Sequence, residues 1–277
     1  MNGDRQGRGP YGGDVIETHG TPLYVESRGQ GPPLLLLHGF GANSHTWNGW
    51  SEALARSRRV LLADMEGFGR ASKPVGGVLG PARLAEGTVD FIRRENLRDL
   101  VIVGHSLGGG VALLTALRLR ELGEADRLKG MVLVSAASLP QPLPRFMKLG
   151  RVPGLGAIGI RLIPPTLLIR VVLRLIVHDR TRVNPESARE YAWALRGRDG
   201  KRSALNALRG LVPDDLAELA ERYAEITTPV LALWGREDRV VRLEVGEELV
   251  RRLPQARLAV LDRCGHVLPE EWPEQGL

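Results

Sequence analysis

Residues 100–122 constrain the fold of this chain more than any other stretch. Residues 100–103 are a short apolar, β-branched run of the kind a buried parallel strand requires, and from Val111 to Leu122 the pattern turns helical. Between them Gly104, Ser106 and Gly108 stand in Gly-x-Ser-x-Gly spacing, with His105 and Leu107 at the intervening positions. A strand that passes into a helix through so tight a turn must strain the backbone at its central residue and push that side chain clear of the sheet. Glycine suits positions 104 and 108 because a Cβ at either would collide with the neighbouring strand or helix. The helix N-terminus aims free amides at any negative charge that develops beside Ser106.

The rest of the chain supplies the sheet that such a turn needs. Residues 14–18 and 23–26 read as an antiparallel hairpin, and residues 34–37, 60–63, 131–134, 230–234 and 258–261 as further strands. Helices are expected at 47–55, 82–94 and 243–252. Strands alternating with helices imply a mostly parallel central sheet flanked by helices on both faces. The alternation stops over 138–225, a stretch punctuated by Pro140, Pro142, Pro144, Pro153, Pro164 and Pro165 that reads as short helices. We therefore expect a core from 14–137 and 226–277, interrupted by an inserted helical cap over 138–225. Residues 1–13, polar and glycine-rich, are expected to form a disordered tail.

Composition narrows the class further. Hydrophobic content of 43% and charged content of 25% describe an ordinary globular protein. The formal charge of +6 comes from arginine scattered along the chain, with no basic stripe interleaved with aromatics to suggest a nucleic-acid groove. Cys264, the single cysteine, excludes an intrachain disulfide and fits a reducing compartment. It reads as a small loop residue rather than a redox-sensitive thiol. No stretch reaches the roughly 18 apolar residues of a membrane span, the nearest being 167–177, broken by Arg170 and Arg174. A cytoplasmic protein without a membrane segment, able to form a homo-oligomer, is the expectation. No cofactor and no metal are expected, because no phosphate loop, dinucleotide fingerprint or Cys/His cluster at metal spacing occurs.

A serine activated for attack needs a base within hydrogen-bond reach and an acid to orient it. Asp238 follows the strand at 230–234 and His266 follows the last strand, so Ser106, Asp238 and His266 all fall at carboxyl ends of parallel strands. Glu237, Asp262, Asp90 and Asp99 are weaker candidates for the acid, as are His178, His45 and His19 for the base. The glycines of His38-Gly39-Phe40-Gly41, after the strand at 34–37, allow backbone amides to approach a ligand.

With these motifs in place, the chain resembles the α/β-hydrolase superfamily, in its serine esterase and lipase-like branch, over nearly its full length. The resemblance rests on residues 38–41, 64–69, the 104–108 turn, Gly235-x-x-Asp238 and Gly265-His266. It implies Ser106 as nucleophile, His266 as base and then acid, Asp238 as its orienting partner, and the Phe40 and Leu107 amides as an oxyanion hole. His38 is implied as a scaffold for its loop, with Gly39, Gly104, His105 and Gly108 in support. Two departures stand out. Glu66 replaces the family's usual proline, which implies a more flexible loop, and the closing helix after His266 is shortened or absent, which implies an exposed apolar face.

Residues 167–177, apolar nearly all round, are expected to line an apolar pocket in the cap, with the glycine- and leucine-rich residues 149–163 as lid segments. The implied reaction is hydrolysis of small to medium apolar acyl esters through an acyl-enzyme. Carbon–carbon bond hydrolysis with the same triad, non-catalytic ligand binding on the same fold, and a membrane-surface role for the cationic cap are the alternatives.

Overall fold

The computed structural model describes residues 6–74, 76–152 and 154–274. Its nine strands are β1 (Gln6–Arg8), β2 (Asp14–Ile16), β3 (Tyr24–Arg28), β4 (Pro33–Leu37), β5 (Arg59–Asp64), β6 (Leu100–His105), β7 (Leu128–Val134), β8 (Val230–Gly235) and β9 (Ala256–Leu261). They form one sheet in the order β1-β2-β3-β5-β4-β6-β7-β8-β9. The first three strands run antiparallel as a meander, and β3 pairs antiparallel with β5. From β5 to β9 every pairing is parallel.

The β4 run shows why a continuous apolar sequence becomes a central strand. Successive side chains point to opposite faces, so Leu35 and Leu37 enter one hydrophobic core while Leu34 and Leu36 enter the other. On the first face lie α2 (Pro81–Arg94), α3 (Leu107–Glu121) and α10 (Leu243–Arg252). On the second, α1 (Asn48–Leu54) contributes Trp50, which clusters with Trp47 and with Leu268 of the single-turn α11 (Leu268–Glu271). The remaining helices, α4 (Arg145–Arg151), α5 (Leu155–Leu162), α6 (Pro165–Ile176), α7 (Pro185–Trp193), α8 (Gly197–Arg209) and α9 (Leu216–Glu221), all fall between β7 and β8.

Three expectations need correction. The tail expected over residues 1–13 is ordered from residue 6 onward: β1 pairs with β2, and Tyr11 is buried with its amide on Glu26 and its hydroxyl on Asp64 Oδ2 at 2.8 Å. Residues 1–5 lie outside the described residues. The Glu66 loop is tethered rather than loosened, because Arg83 donates two hydrogen bonds to the Glu66 carboxylate at 2.7 and 2.6 Å. The segment after His266 leaves no open apolar face among the described residues. Leu268 is fully buried, and Trp272 packs on the same cluster while the Arg182 guanidinium sits 4.0 Å from its ring centre.

Candidate active site

Ser106 sits between β6 and α3 with φ 52° and ψ −115°, a conformation that L-residues adopt only when the surroundings enforce it. The enforcement is steric. A Cβ on Gly104 would lie 2.3 Å from the Gly108 carbonyl oxygen, and one on Gly108 would lie 2.3 Å from that of Leu37. Strand and helix are therefore pressed together at backbone distance, and the turn has no room to relax. The Ser106 amide donates to Val134 O of β7 at 2.9 Å, which ties the turn to the next strand.

The side chains of three distant segments converge here. His266 Nε2 lies 3.0 Å from Ser106 Oγ, and His266 Nδ1 lies 2.8 Å from Asp238 Oδ2. Asp238 keeps its other oxygen on the Val240 and Val241 amides at 2.8 and 3.0 Å, so the carboxylate cannot rotate away from the ring. With Nδ1–H donating to Asp238, Nε2 is free to accept the serine proton. All three side chains are buried.

The loop that carries His266 is braced from two sides. Its own amide donates to Ile176 O at the end of α6 (2.9 Å), which links the α4–α9 segment to the site through the backbone. Glu271 accepts from the amides of Gly265 (3.1 Å) and Val267 (3.3 Å), and from His178 at 2.8 Å. Burial raises the Glu271 carboxyl above its usual range, and these amide hydrogen bonds pull it partly back. No sequence motif marks Glu271; a carboxylate four residues beyond an amide-rich loop is its only trace.

His105 donates from Nε2 to the His266 carbonyl at 2.8 Å, and burial together with the neighbouring His266 lowers its pKa to about 3, so the ring is neutral. His38 is fully enclosed and its pKa is lowered by burial. Nδ1–H donates to Gly39 O at 2.8 Å and Nε2 accepts from the Met65 amide at 3.1 Å, which fastens the 38–41 loop to the loop after β5. A Cβ on Gly39 would press on the His105 ring at 2.9 Å, so only glycine lets that loop reach the elbow. Phe40, Ser106 and Leu107 line the same small cavity, and the Leu107 amide opens α3 without an intrahelical partner.

Four of the weaker candidates have partners elsewhere. Glu237 accepts from the Cys264 amide, and Asp262 pairs with exposed Arg236. His19 pairs with Glu95, and His45 bonds Asn48 beside the Tyr191 ring. Cys264 is buried, and burial pushes its thiol well above the usual range.

Two cavities meet at Ser106. The larger, about 610 Å³, extends under α4, α5, α6 and α8, with Leu168, Ile169, Val172, Leu173 and Ile176 of α6 along one wall. No Arg, Lys, Asp or Glu lines it among the described residues. The smaller, about 60 Å³, lies toward α3 between Leu107, Leu114 and Leu139. Phe40, Met147 and Val240 border both and form the divide.

A sequence model of the alpha/beta hydrolase fold matches residues 32–273. The chain therefore belongs to the α/β-hydrolase fold family. It is 30% identical over 274 residues to a 2-hydroxymuconate semialdehyde hydrolase of Pseudomonas putida, covering 96% of this chain and 91% of that one. Among solved structures, a meta-cleavage product hydrolase from Pseudomonas fluorescens IP01 superposes with a TM-score of 0.74 at 25% identity, over 95% of this chain and 91% of the other. A thermophilic esterase from Thermogutta terrifontis, at 24% identity and a TM-score of 0.73 over 100% and 94% of the two chains, shows the fold alone.

Proposed function

We propose that this protein is a serine hydrolase that cleaves uncharged carboxylic esters with an apolar acyl group. The observation that carries this reading is the hydrogen-bonded series Ser106–His266–Asp238 at the junction of two cavities, the larger without a charged residue in its lining. His266 takes the Ser106 proton as Oγ attacks the ester carbonyl. The oxyanion that forms is held by the amides of Phe40 and Leu107, each such donor being worth about 3–4 kcal/mol in comparable sites. His266 then gives its proton to the departing alcohol, leaving Ser106 acylated. Water, deprotonated by His266, attacks the acyl carbon, and the acid departs as the proton returns to Ser106.

On this reading the unequal cavities suit the two halves of an ester. The acyl chain takes the space of about 610 Å³ and the smaller alcohol the space of about 60 Å³. Pockets of roughly 300–1,000 Å³ enclose medium-sized organic ligands, so a medium-length acyl chain fits best.

The relatives favour a second reading, hydrolysis of a carbon–carbon bond by the same residues, since the named activities of two of them are of that kind. The substrate named for the Pseudomonas putida relative is a carboxylate. Carrying that anion into an apolar cavity without a cationic partner is costly, which supports the ester reading. Hydrolysis of p-nitrophenyl esters from acetate to palmitate, run beside 2-hydroxymuconate semialdehyde with the wild type and Ser106→Ala, separates the two. The ester reading predicts a maximum near hexanoate to decanoate, lost by at least about 10³-fold in the variant. Turnover of 2-hydroxymuconate semialdehyde exceeding that of every ester would replace it with the second reading, and ester turnover retained by Ser106→Ala would overturn both.

A further inference from the structure

The surface of α4, α5 and α6 carries a charge pattern that the active site does not use. Residues 138–178 contain Arg145, Lys148, Arg151, Arg161, Arg170 and Arg174 and no Asp or Glu. The chain has 38 Lys and Arg against 32 Asp and Glu, so these six account for its entire net charge of +6 and everything else is balanced. Arginine is scattered along the sequence, but the surplus is not. All six side chains are exposed, and none forms an ion pair among the described residues. Other surface arginines also stand without an ion pair, but there matched ones are interspersed, as Arg118, Arg120, Arg222 and Arg252 are with glutamates, whereas this segment has no acid at all.

The same helices expose large apolar side chains. On α6, Leu167, Val171 and Leu175 lie on one solvent-facing stripe at i, i+4 and i+8, each about half exposed, with Arg170 and Arg174 beside them. On α5 and its flanks Leu155, Ile158, Leu162 and Ile163 are exposed, Leu162 at 77%, and these four also line the large cavity. They form its rim. α5 and α6 meet at a bend of 114°, and no single helix among the described residues is long and apolar enough to cross a membrane. An apolar stripe flanked by arginines is the pattern of a helix that lies in a bilayer interface with its cations among anionic headgroups.

We propose that α4, α5 and α6 dock this protein on an anionic lipid surface, with the mouth of the large cavity turned toward the bilayer. Charge selects the occupant. A second copy on the same face would oppose six unpaired cations to six more, since a two-fold contact repeats the patch on both sides. Anionic headgroups neutralise the cations while the acyl region receives Leu162, Leu167, Val171 and Leu175. Docking does not depend on the ester reading; only the inference that substrate is drawn from the bilayer rests on it.

Vesicle flotation of the full chain tests this, with phosphatidylcholine alone and with phosphatidylcholine containing phosphatidylserine. Wild type should float with the anionic vesicles at least tenfold more than with the neutral ones, and added salt should weaken the preference. Arg170→Glu/Arg174→Glu and Leu167→Ser/Val171→Ser, which alter exposed positions outside the cavity lining, should each lose most of the binding at unchanged circular dichroism. Failure to float with either vesicle, equal flotation with both, or wild-type flotation by both variants would overturn the proposal. So would a stable dimer in sedimentation velocity that both variants dissolve. Hydrolysis of p-nitrophenyl acetate in the same preparations reads the ester proposal separately, so the two can fail independently.

Discussion

At the scale of single residues, the site depends on which proton each ring nitrogen holds. Asp238 accepts the Nδ1 proton of His266 and so leaves Nε2 with a lone pair facing Ser106 Oγ at 3.0 Å. In Asp238→Asn the side-chain oxygen stays on the Val240 and Val241 amides and the new amide nitrogen faces the ring. That nitrogen donates, which forces the His266 proton onto Nε2 and removes the base of the proposed reaction. A drop in kcat of roughly 10⁴-fold with KM nearly unchanged is expected; a loss below tenfold would remove Asp238 from the role proposed for it. Glu270 gives a second test. Burial, reinforced by neighbouring Glu271, holds its carboxyl above the usual value of 4.5, while Tyr191, Ser187 and Thr46 donate to it and oppose the rise. The folded state therefore binds this proton more tightly than the unfolded chain does, and the associated stability is lost as pH rises from the ordinary carboxylate value through the folded one. Glu270→Gln keeps an acceptor for Tyr191 and removes the titration. Its Tm relative to wild type should rise as pH increases above the ordinary carboxylate value of 4.5, and a pH-independent difference would refute that account.

Among the elements, periodicity and apolar runs made most of the core readable. The 34–37 run, the helix at 82–94 and the strand-turn-helix around Ser106 return as β4, α2 and β6–α3 with small changes at their ends. What the sequence did not disclose depends on tertiary partners. β1 has no apolar run to announce it and exists by edge pairing with β2, steadied by Tyr11 reaching Asp64. Glu66 looked like a missing proline because Arg83, its partner, stands 17 positions away. Glu271 braces the His266 loop through backbone amides, which no residue pattern records. For α6 the sequence specified an apolar helix without saying where each face points. Leu168 and Val172 turn to the cavity while Leu167 and Val171 turn to solvent. Val172→Phe should therefore shorten the acyl chain that fits. Its kcat/KM for decanoate relative to butyrate is expected to fall by roughly tenfold, the scale of one or two misfitting methylenes. An unchanged ratio would place the acyl chain elsewhere.

For the molecule as a whole, the distribution of charge and the direction of the cavity coincide. A segment that carries six cations and no acid, in a chain whose other charges balance in number, favours approach to an anionic plane through that segment. The residues that would meet that plane first include the rim of the cavity whose floor is Ser106. Orientation and access are thus linked, and the link has a kinetic signature. A long-chain ester presented in anionic vesicles should be hydrolysed about tenfold faster than the same ester in neutral vesicles at low ionic strength. The advantage should disappear near roughly 0.5 M salt, where the screening length falls to a few ångströms. A soluble acetate ester, which needs no docking, should show neither effect. Arg170→Glu/Arg174→Glu should abolish the vesicle advantage while leaving acetate hydrolysis intact, because neither arginine lines the cavity. If the double variant instead slowed both substrates equally, these arginines would act on the enzyme itself and the link between charged face and substrate supply would fail.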